Sequence, residues 1–131
     1  MRSGSPNGLG KQIRLKFMES TSQALEARIR RIKTKLSGLG ELRPGVLSEQ
    51  YNVCGNPGCR CKANPPVKHG PYYQLSWSRK RKSATRFIRK PELRAVQAQI
   101  RNYQRLQELV DEWADASIEL CDLKRKQARE G

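Results

Sequence analysis

Residues 54–77 read CGNPGCRCKANPPVKHGPYYQLSW, and this stretch decides how the middle of the chain folds. Three cysteines and the single histidine of the chain form the pattern C-x4-C-x-C-x7-H. Structural zinc requires four sulfur or nitrogen donors in a tetrahedron, and three thiolates with one imidazole are a common set. We therefore predict one structural Zn²⁺ ion bound by Cys54, Cys59, Cys61 and His69.

Other interpretations of the cysteines stay open at this point. They could be ordinary thiols in a turn, or belong to an iron–sulfur or redox-disulfide site. Only one residue separates Cys59 from Cys61, which would strain a disulfide between them. The remaining cysteine, Cys121, is predicted to be a small core residue of a helix. It is the reserve fourth ligand if His69 does not bind the ion.

The residues after the histidine alternate between apolar and polar, as in a half-buried strand. The apolar positions are Tyr73, Leu75 and Trp77. Residues 84–88 are predicted to be the hairpin partner of this strand, and residues 46–53 a third strand. Tyr73 and Trp77 are expected in the core, whereas Tyr72 lies on the opposite face.

Apolar residues at steps of three and four predict two long helices. The first stripe is Leu25, Ile29, Ile32, Leu36 and Leu39, and the second is Leu93, Val96, Ile100, Tyr103, Leu106, Val110, Trp113 and Leu120. A lone amphipathic helix cannot bury its stripe. The two helices are therefore expected to form an antiparallel coiled-coil pair, with homodimerisation as the alternative.

These elements predict an α+β fold in which two long helices flank a small antiparallel, zinc-stapled sheet. We divide the chain into four segments by composition. Residues 1–12 are a flexible basic arm, 13–40 a basic amphipathic helix, 41–91 a zinc-binding β module with a basic hairpin, and 92–131 a long C-terminal helix with an acidic face.

The charge of the chain is large and unevenly distributed. Its 131 residues include 27 Lys and Arg against 12 Asp and Glu, a formal net charge of +15. The segment from Arg43 to Pro91 holds 11 basic residues and one acid, whereas Leu106 to Leu123 holds six acids and no Lys or Arg. A surface so far from neutrality favours an anionic partner. No apolar run is long enough to cross a membrane, and we expect a soluble cytoplasmic protein.

Nucleic acid is the anionic partner that explains most of these residues, because each phosphate neutralised by Lys or Arg releases counterions. Tyr72 is the candidate for stacking on a base. The candidate phosphate contacts are Arg79, Lys80, Arg81, Lys82, Arg86, Arg89 and Lys90 in the β module, and Arg28, Arg31 and Lys35 in the first helix. Duplex DNA is favoured over structured RNA. A protein–protein adaptor that uses the acidic helix is the alternative function.

Catalysis is not expected. It needs a base, a nucleophile or an open metal site, and the histidine is already assigned to the metal. A closed site of three thiolates and one imidazole leaves no position for water. The enzymatic alternative is an open zinc site in which water replaces the fourth ligand.

The run from Cys54 to Cys61, the sequence His-Gly-Pro-Tyr-Tyr at residues 69–73 and the Arg-Phe-Ile at residues 86–88 resemble a family of short bacterial proteins of unknown function. The resemblance spans about residues 40–120. Such families are often encoded near transposases, so the resemblance implies an accessory role in a mobile-element complex with a larger transposase or nuclease. It supplies no catalytic residues.

Overall fold

The computed structural model describes residues 4–130, with side chains from Thr21 onward. The fold is α+β and contains a three-stranded antiparallel sheet. Its elements in chain order are helix α1 (Gly4–Ser37), strands β1 (Val46–Asn52), β2 (His69–Arg79) and β3 (Lys82–Ile88), and helix α2 (Leu93–Glu130). Short 3₁₀ turns occupy Arg60–Lys62 and Lys90–Glu92.

The chain forms two compact units. Unit 1 comprises Met1–Leu39 and Leu106–Gly131, and unit 2 comprises Gly40–Arg105. The first contains α1 and most of α2, and the second contains the sheet and the first turns of α2. Within the described part of the chain, no helix is both long and apolar enough to span a bilayer.

In unit 1, α1 and α2 pack against each other in opposite directions. The Lys124 ammonium lies 3.8 Å from a Glu26 carboxylate oxygen. At the other end, the Lys33 ammonium lies 5.2 Å from the centre of the Trp113 ring. The apolar core between these two contacts is Leu25, Ile29 and Ala116, with Trp113, Leu120 and Leu123 packed around it.

The predicted stripe of α2 is wrong at one position. Val110 is 45% exposed, whereas Leu109 is fully buried. The inward positions run Leu109, Trp113, Ala116, Leu120 and Leu123. Both residues satisfy a helical repeat, because steps of three and of four are equally compatible with 3.6 residues per turn. Leu109 lies on the same side of α2 as Trp113 and Ala116, the side that packs on α1.

In unit 2 the sheet has the order β1-β2-β3, with antiparallel neighbours throughout. Leu75 in the central strand is fully buried and packs with Ile88 and with Val96 of α2. Tyr73 and Trp77 join this cluster, as predicted from the alternation. The first turns of α2 therefore cover one face of the sheet.

The start of α2 follows local signals. Pro91 lies in the turn before α2, where a missing N–H is harmless. The Arg89 backbone N–H donates to a Glu92 carboxylate oxygen at 3.0 Å, which caps this entry. Helix α1 extends nearer to the N-terminus than the predicted residues 13–40. The predicted arm, residues 1–12, lies partly outside the described residues and partly in the first turns of this helix.

Candidate metal centre and basic hairpin

Strand pairing holds together the two ends of the cysteine-containing loop. Asn52 at the end of β1 pairs with His69 at the start of β2, after an irregularity in the register between Gln50 and Asn52. The loop of residues 53–68 therefore leaves the sheet and returns to it at one place. A ligand on β2 and ligands in the loop are brought together by this closure.

Gly70 permits this close pairing. Its φ is +144°, a conformation that residues with a Cβ rarely adopt. A Cβ at this position would lie 2.7 Å from the Gln50 carbonyl oxygen and 2.8 Å from Cδ1 of Tyr51. Glycine is thus required where β2 approaches β1, one residue after His69.

Inside the loop, short hydrogen bonds fix the cysteines. The Cys59 N–H donates to the Asn56 carbonyl at 3.2 Å, and the Lys62 N–H donates to the Cys59 carbonyl at 3.0 Å. The 3₁₀ turn that follows places Cys61 in the interior, where it is 1% exposed. The Val67 N–H bonds to the Arg60 carbonyl at 3.1 Å, which folds the rest of the loop back.

The donor atoms of Cys54, Cys59, Cys61 and His69 all lie within 4.8 Å of one another. The Sγ atoms of Cys54 and Cys61 are 3.6 Å apart, and Cys59 Sγ is 3.0 Å from His69 Nε2. All four cysteines of the chain are free thiols. Two thiolates on one tetrahedral zinc, at about 2.3 Å each, stand about 3.8 Å apart. The cluster therefore fits a metal ion with only small shifts.

Two thiols of the cluster, Cys59 and Cys61, differ in acidity. Hydrogen bonding, foremost with the Cys61 backbone, lowers the pKa of Cys59 from 9.0 to about 6. Burial raises the pKa of the Cys61 thiol. The Cys54 N–H donates to Cys61 Sγ at 3.3 Å, the type of contact that supports a metal-bound sulfur.

Cys121 is neither a core residue nor part of this cluster. It is exposed on α2, in unit 1. The prediction of a buried Cys121 is therefore wrong, because the neighbouring Leu120 and Leu123 occupy the inward positions of the helix. The described cluster has His69 as its fourth donor.

The four hairpin cations predicted to contact nucleic acid form a two-residue turn and the strand residues that flank it. Arg79 pairs with Lys82, which leaves Lys80 and Arg81 as the turn. Their φ angles are +51° and +67°. Two-residue hairpin turns of type I′ need positive φ at both positions and normally use Asn and Gly. Here a lysine and an arginine adopt it, and all four side chains are exposed.

The other residues predicted to contact nucleic acid are also exposed. In unit 2 these are Tyr72, Arg86, Arg89 and Lys90; in unit 1 they are Arg28, Arg31 and Lys35, on one face of α1. Arg86 lies 5.7 Å above the Trp77 ring, whose centre is 4.6 Å from the Arg43 guanidinium. The Trp77 ring is thus in cation–π contact with two arginines of the protein itself.

Sequence reasoning missed Phe87, which is 72% exposed. It pairs with Gln74 and so lies on the same face of the sheet as Tyr72. The alternation of Phe87 with the buried Ile88 carries this information, since successive strand residues point to opposite faces. The acidic residues of α2 between Glu108 and Asp122 are exposed as predicted, apart from the half-buried Glu112.

Residues 22–98 match the family described as a domain of unknown function, DUF6788. The chain belongs to this family. The matched region begins within α1 and ends early in α2. The resemblance was expected to span residues 40–120. The matched region includes all four donors of the cluster and the whole hairpin, but not the acidic stretch of α2. No curated protein and no solved structure matches the chain.

Proposed function

We propose that this DUF6788 protein is a non-enzymatic nucleic-acid-binding module stapled by one structural zinc ion. The observation that carries the proposal is the hairpin turn, where Lys80 and Arg81 adopt left-handed backbone conformations. Non-glycine residues in this region cost about 1–3 kcal/mol each and cluster at functional sites. A turn that only had to reverse the chain would be more stable with Asn-Gly.

Zinc is the metal that best suits the cluster. Thiolate and imidazole ligands with tetrahedral geometry are typical of zinc, whereas calcium and magnesium require oxygen donors. Unit 2 has a small core built around Leu75, Ile88 and Val96. Structural zinc contributes about 10–16 kcal/mol of apparent binding free energy, so a metal joining the loop to β2 would supply stability that this core lacks.

The charge around the sheet supports binding to phosphate. Between Arg43 and Pro91 the chain has 11 basic residues, and Glu49 is the single acid. Of all 27 cations, 16 are arginine, whose planar fork suits phosphate oxygens and guanine edges. Arg89 and Lys90 add exposed cations at the other end of β3 from the turn.

Duplex DNA is the favoured target of the hairpin. The B-DNA major groove is about 12 Å wide and admits a two-stranded ribbon, with arginine as the commonest reader of guanine. In A-form RNA this groove is too narrow for side chains to read, so structured RNA would be bound by shape and backbone. Structured RNA in a ribonucleoprotein is the second candidate target.

No catalytic role is proposed for the metal. With four protein donors the zinc has no open position for water. The residues of this chain would then hold the loop and strand in place and present the hairpin. An open site with water in place of one donor remains the enzymatic alternative, and it predicts hydrolytic activity that a closed site lacks.

Family resemblance, rather than geometry, motivates the cellular setting. We propose a cytoplasmic accessory protein of a bacterial mobile-element complex, acting with a larger transposase or nuclease. The acidic stretch of α2 lies outside the matched family region and is the surface offered to that partner. Homodimerisation through the helices is the alternative use of unit 1.

The salt dependence of binding tests the proposal. If about six phosphates are neutralised, the logarithm of the affinity for duplex DNA should fall against the logarithm of salt with a slope near −5. Replacing Arg79, Lys80, Arg81 and Lys82 by Ala should weaken binding and flatten the slope. A slope unchanged by these substitutions would show that the hairpin is not the contact.

The adaptor alternative has its own test. Reversing charge at Asp111, Glu112 and Asp115 should abolish a protein complex in a pull-down while leaving nucleic-acid affinity intact or raised. Loss of nucleic-acid binding on reversal of the acidic residues would contradict this division of surfaces.

The kind of nucleic acid has a separate test. Sequencing the nucleic acid that co-purifies before nuclease treatment would distinguish DNA from RNA.

A further inference from the structure

One face of the sheet in unit 2 is covered and the other is open. Leu75 of β2 and Ile88 of β3 face α2. The residues directly before and after each of them in the same strand point to the other face. On the open face, Ser48, Gln74 and Phe87 form one cross-strand row. This face has polar amides and hydroxyls around exposed aromatic rings.

Two rings stand out on the open face. Tyr72 is 44% exposed and Phe87 is 72% exposed. They lie on neighbouring strands as diagonal neighbours, because Phe87 pairs with Gln74, two residues after Tyr72. Diagonal Cα atoms are about 7–8 Å apart. A cavity of about 280 Å³ lies at this end of β2 and β3, lined by Tyr72 and Phe87, by Pro71, Arg89 and Lys90, and by Tyr73 and Ile88 from the covered face.

We propose that this open face binds an unpaired segment of nucleic acid, with Tyr72 and Phe87 stacking on bases and Arg89 and Lys90 pairing with phosphates. The inference rests on the proposed function and deepens it by naming the kind of strand. Stacking on aromatic side chains is how sequence-tolerant single-strand binders hold bases. A cavity with rings and cations side by side offers both groups that a nucleotide requires.

Geometry and stacking both favour an unpaired strand over a duplex at this face, whereas the hairpin turn is the part offered to a duplex. Strands are about 4.8 Å apart, so three of them span about 10 Å before side chains are counted, which nearly fills a major groove about 12 Å wide. In a duplex the faces of the bases are already stacked on one another. Exposed rings at positions 72 and 87 therefore stack on unpaired bases without the unstacking cost that a duplex would impose.

Charge complementarity favours nucleic acid over a protein on this face. None of the described strand residues on the open face is acidic, and Glu49, the single acid of β1, pairs with Tyr73 on the covered face. The turn at Lys80 and Arg81 lies at one end of the strands, and Arg89 and Lys90 at the other. A polyanion crossing the open face would meet cations at both ends.

The experiment measures binding of the full chain to fluorescein-labelled oligonucleotides of about 12 residues, within the range of single-strand site sizes. The probes are oligo(dT), oligo(U), an abasic strand with the same phosphates, and a duplex. Tyr72→Leu and Phe87→Leu keep an apolar side chain but remove the ring. Each should weaken oligo(dT) or oligo(U) binding about 5- to 100-fold and leave the abasic and duplex affinities unchanged.

Two controls make the result specific. Phe87→Trp keeps a ring and should retain single-strand affinity. Ile118→Ala removes a residue that is 61% exposed on α2 in the other unit and should have no effect. Photocrosslinking of an iodouracil-containing strand to residue 72 or 87 would give direct support.

The outcomes separate this inference from the proposed function. Equal affinity of the leucine variants and the wild type for single strands overturns the inference. The proposed function then still stands if the alanine variant of the hairpin loses duplex affinity. Absence of binding to every probe would remove both. If the leucine variants alter self-association but not oligonucleotide affinity, the rings contact a second copy of the chain and the inference is wrong.

Discussion

Cys59 Sγ lies 3.0 Å from His69 Nε2, although nine residues separate them in the chain. The contact joins the loop of residues 53–68 to the first residue of β2. Cys54 and Cys61 complete the cluster with sulfurs 3.6 Å apart. Three sulfurs and one imidazole nitrogen converge where β1 and β2 meet, so the stability of this end of the sheet is expected to depend on a metal.

Removal of one ligand should release the metal. We expect about one equivalent of zinc in the purified protein by elemental analysis, and a large loss of metal and of thermal stability in Cys59→Ser. Cys121→Ser is the matched control, because Cys121 is an exposed thiol outside the cluster and should retain full zinc content. Less than about half an equivalent in the wild type, or zinc unchanged by Cys59→Ser, would contradict the structural-metal assignment.

A methyl group at Gly70 should destabilise the junction between β1 and β2. Gly70→Ala places Cβ 2.7 Å from the Gln50 carbonyl oxygen at a φ of +144°. The expected loss in free energy of unfolding exceeds about 1 kcal/mol, accompanied by weaker metal binding through the adjacent His69. In the control Gly55→Ala, the new Cβ meets nothing within 4 Å, and stability should change little. Equal effects in denaturant titrations would refute the close approach.

Improving the hairpin turn should raise stability and weaken binding. Lys80→Asn with Arg81→Gly supplies the residues that a type I′ turn prefers, and should raise the free energy of unfolding by about 1–2 kcal/mol. The double variant Arg79→Ala with Lys82→Ala removes the same charge but leaves the turn, and its stability should change by less than about 0.5 kcal/mol. Both variants should bind nucleic acid more weakly. If both variants bind nucleic acid as the wild type does, while urea titrations give the expected stabilities, the strain of the turn has a cause other than nucleic-acid binding.

The packing of α2 in unit 1 can be checked with neighbouring residues. Leu109→Ala removes a fully buried side chain and should cost about 2–5 kcal/mol of unfolding free energy. Val110→Ala changes a side chain that is 45% exposed and should cost less than about 0.5 kcal/mol. The two variants would be compared by thermal and denaturant unfolding. A larger loss of unfolding free energy in Val110→Ala than in Leu109→Ala would support the stripe expected from the sequence pattern, with Val110 inward.

Patterns that depend on neighbours along the chain predicted most of the candidate site. The spacing of Cys54, Cys59 and Cys61 predicted a shared site, and all three lie in one cluster with His69. The alternation through Leu75 predicted β2 and the residues that share its buried face. Both succeed because short loops and the period of a strand leave few geometric alternatives.

The sequence by itself therefore determined the cluster of three cysteines and one histidine, the three strands and the strongly basic hairpin, because these are local properties of spacing and charge. Only the tertiary structure decided which residues are left exposed. Phe87 is exposed because α2 covers the opposite face of the sheet, and Leu109 rather than Val110 lies on the same side of α2 as Trp113 and Ala116, which pack on α1. Lys80 and Arg81 became the turn only through the pairing of Arg79 with Lys82. Burial and register depend on partners distant in the chain, which no local pattern specifies.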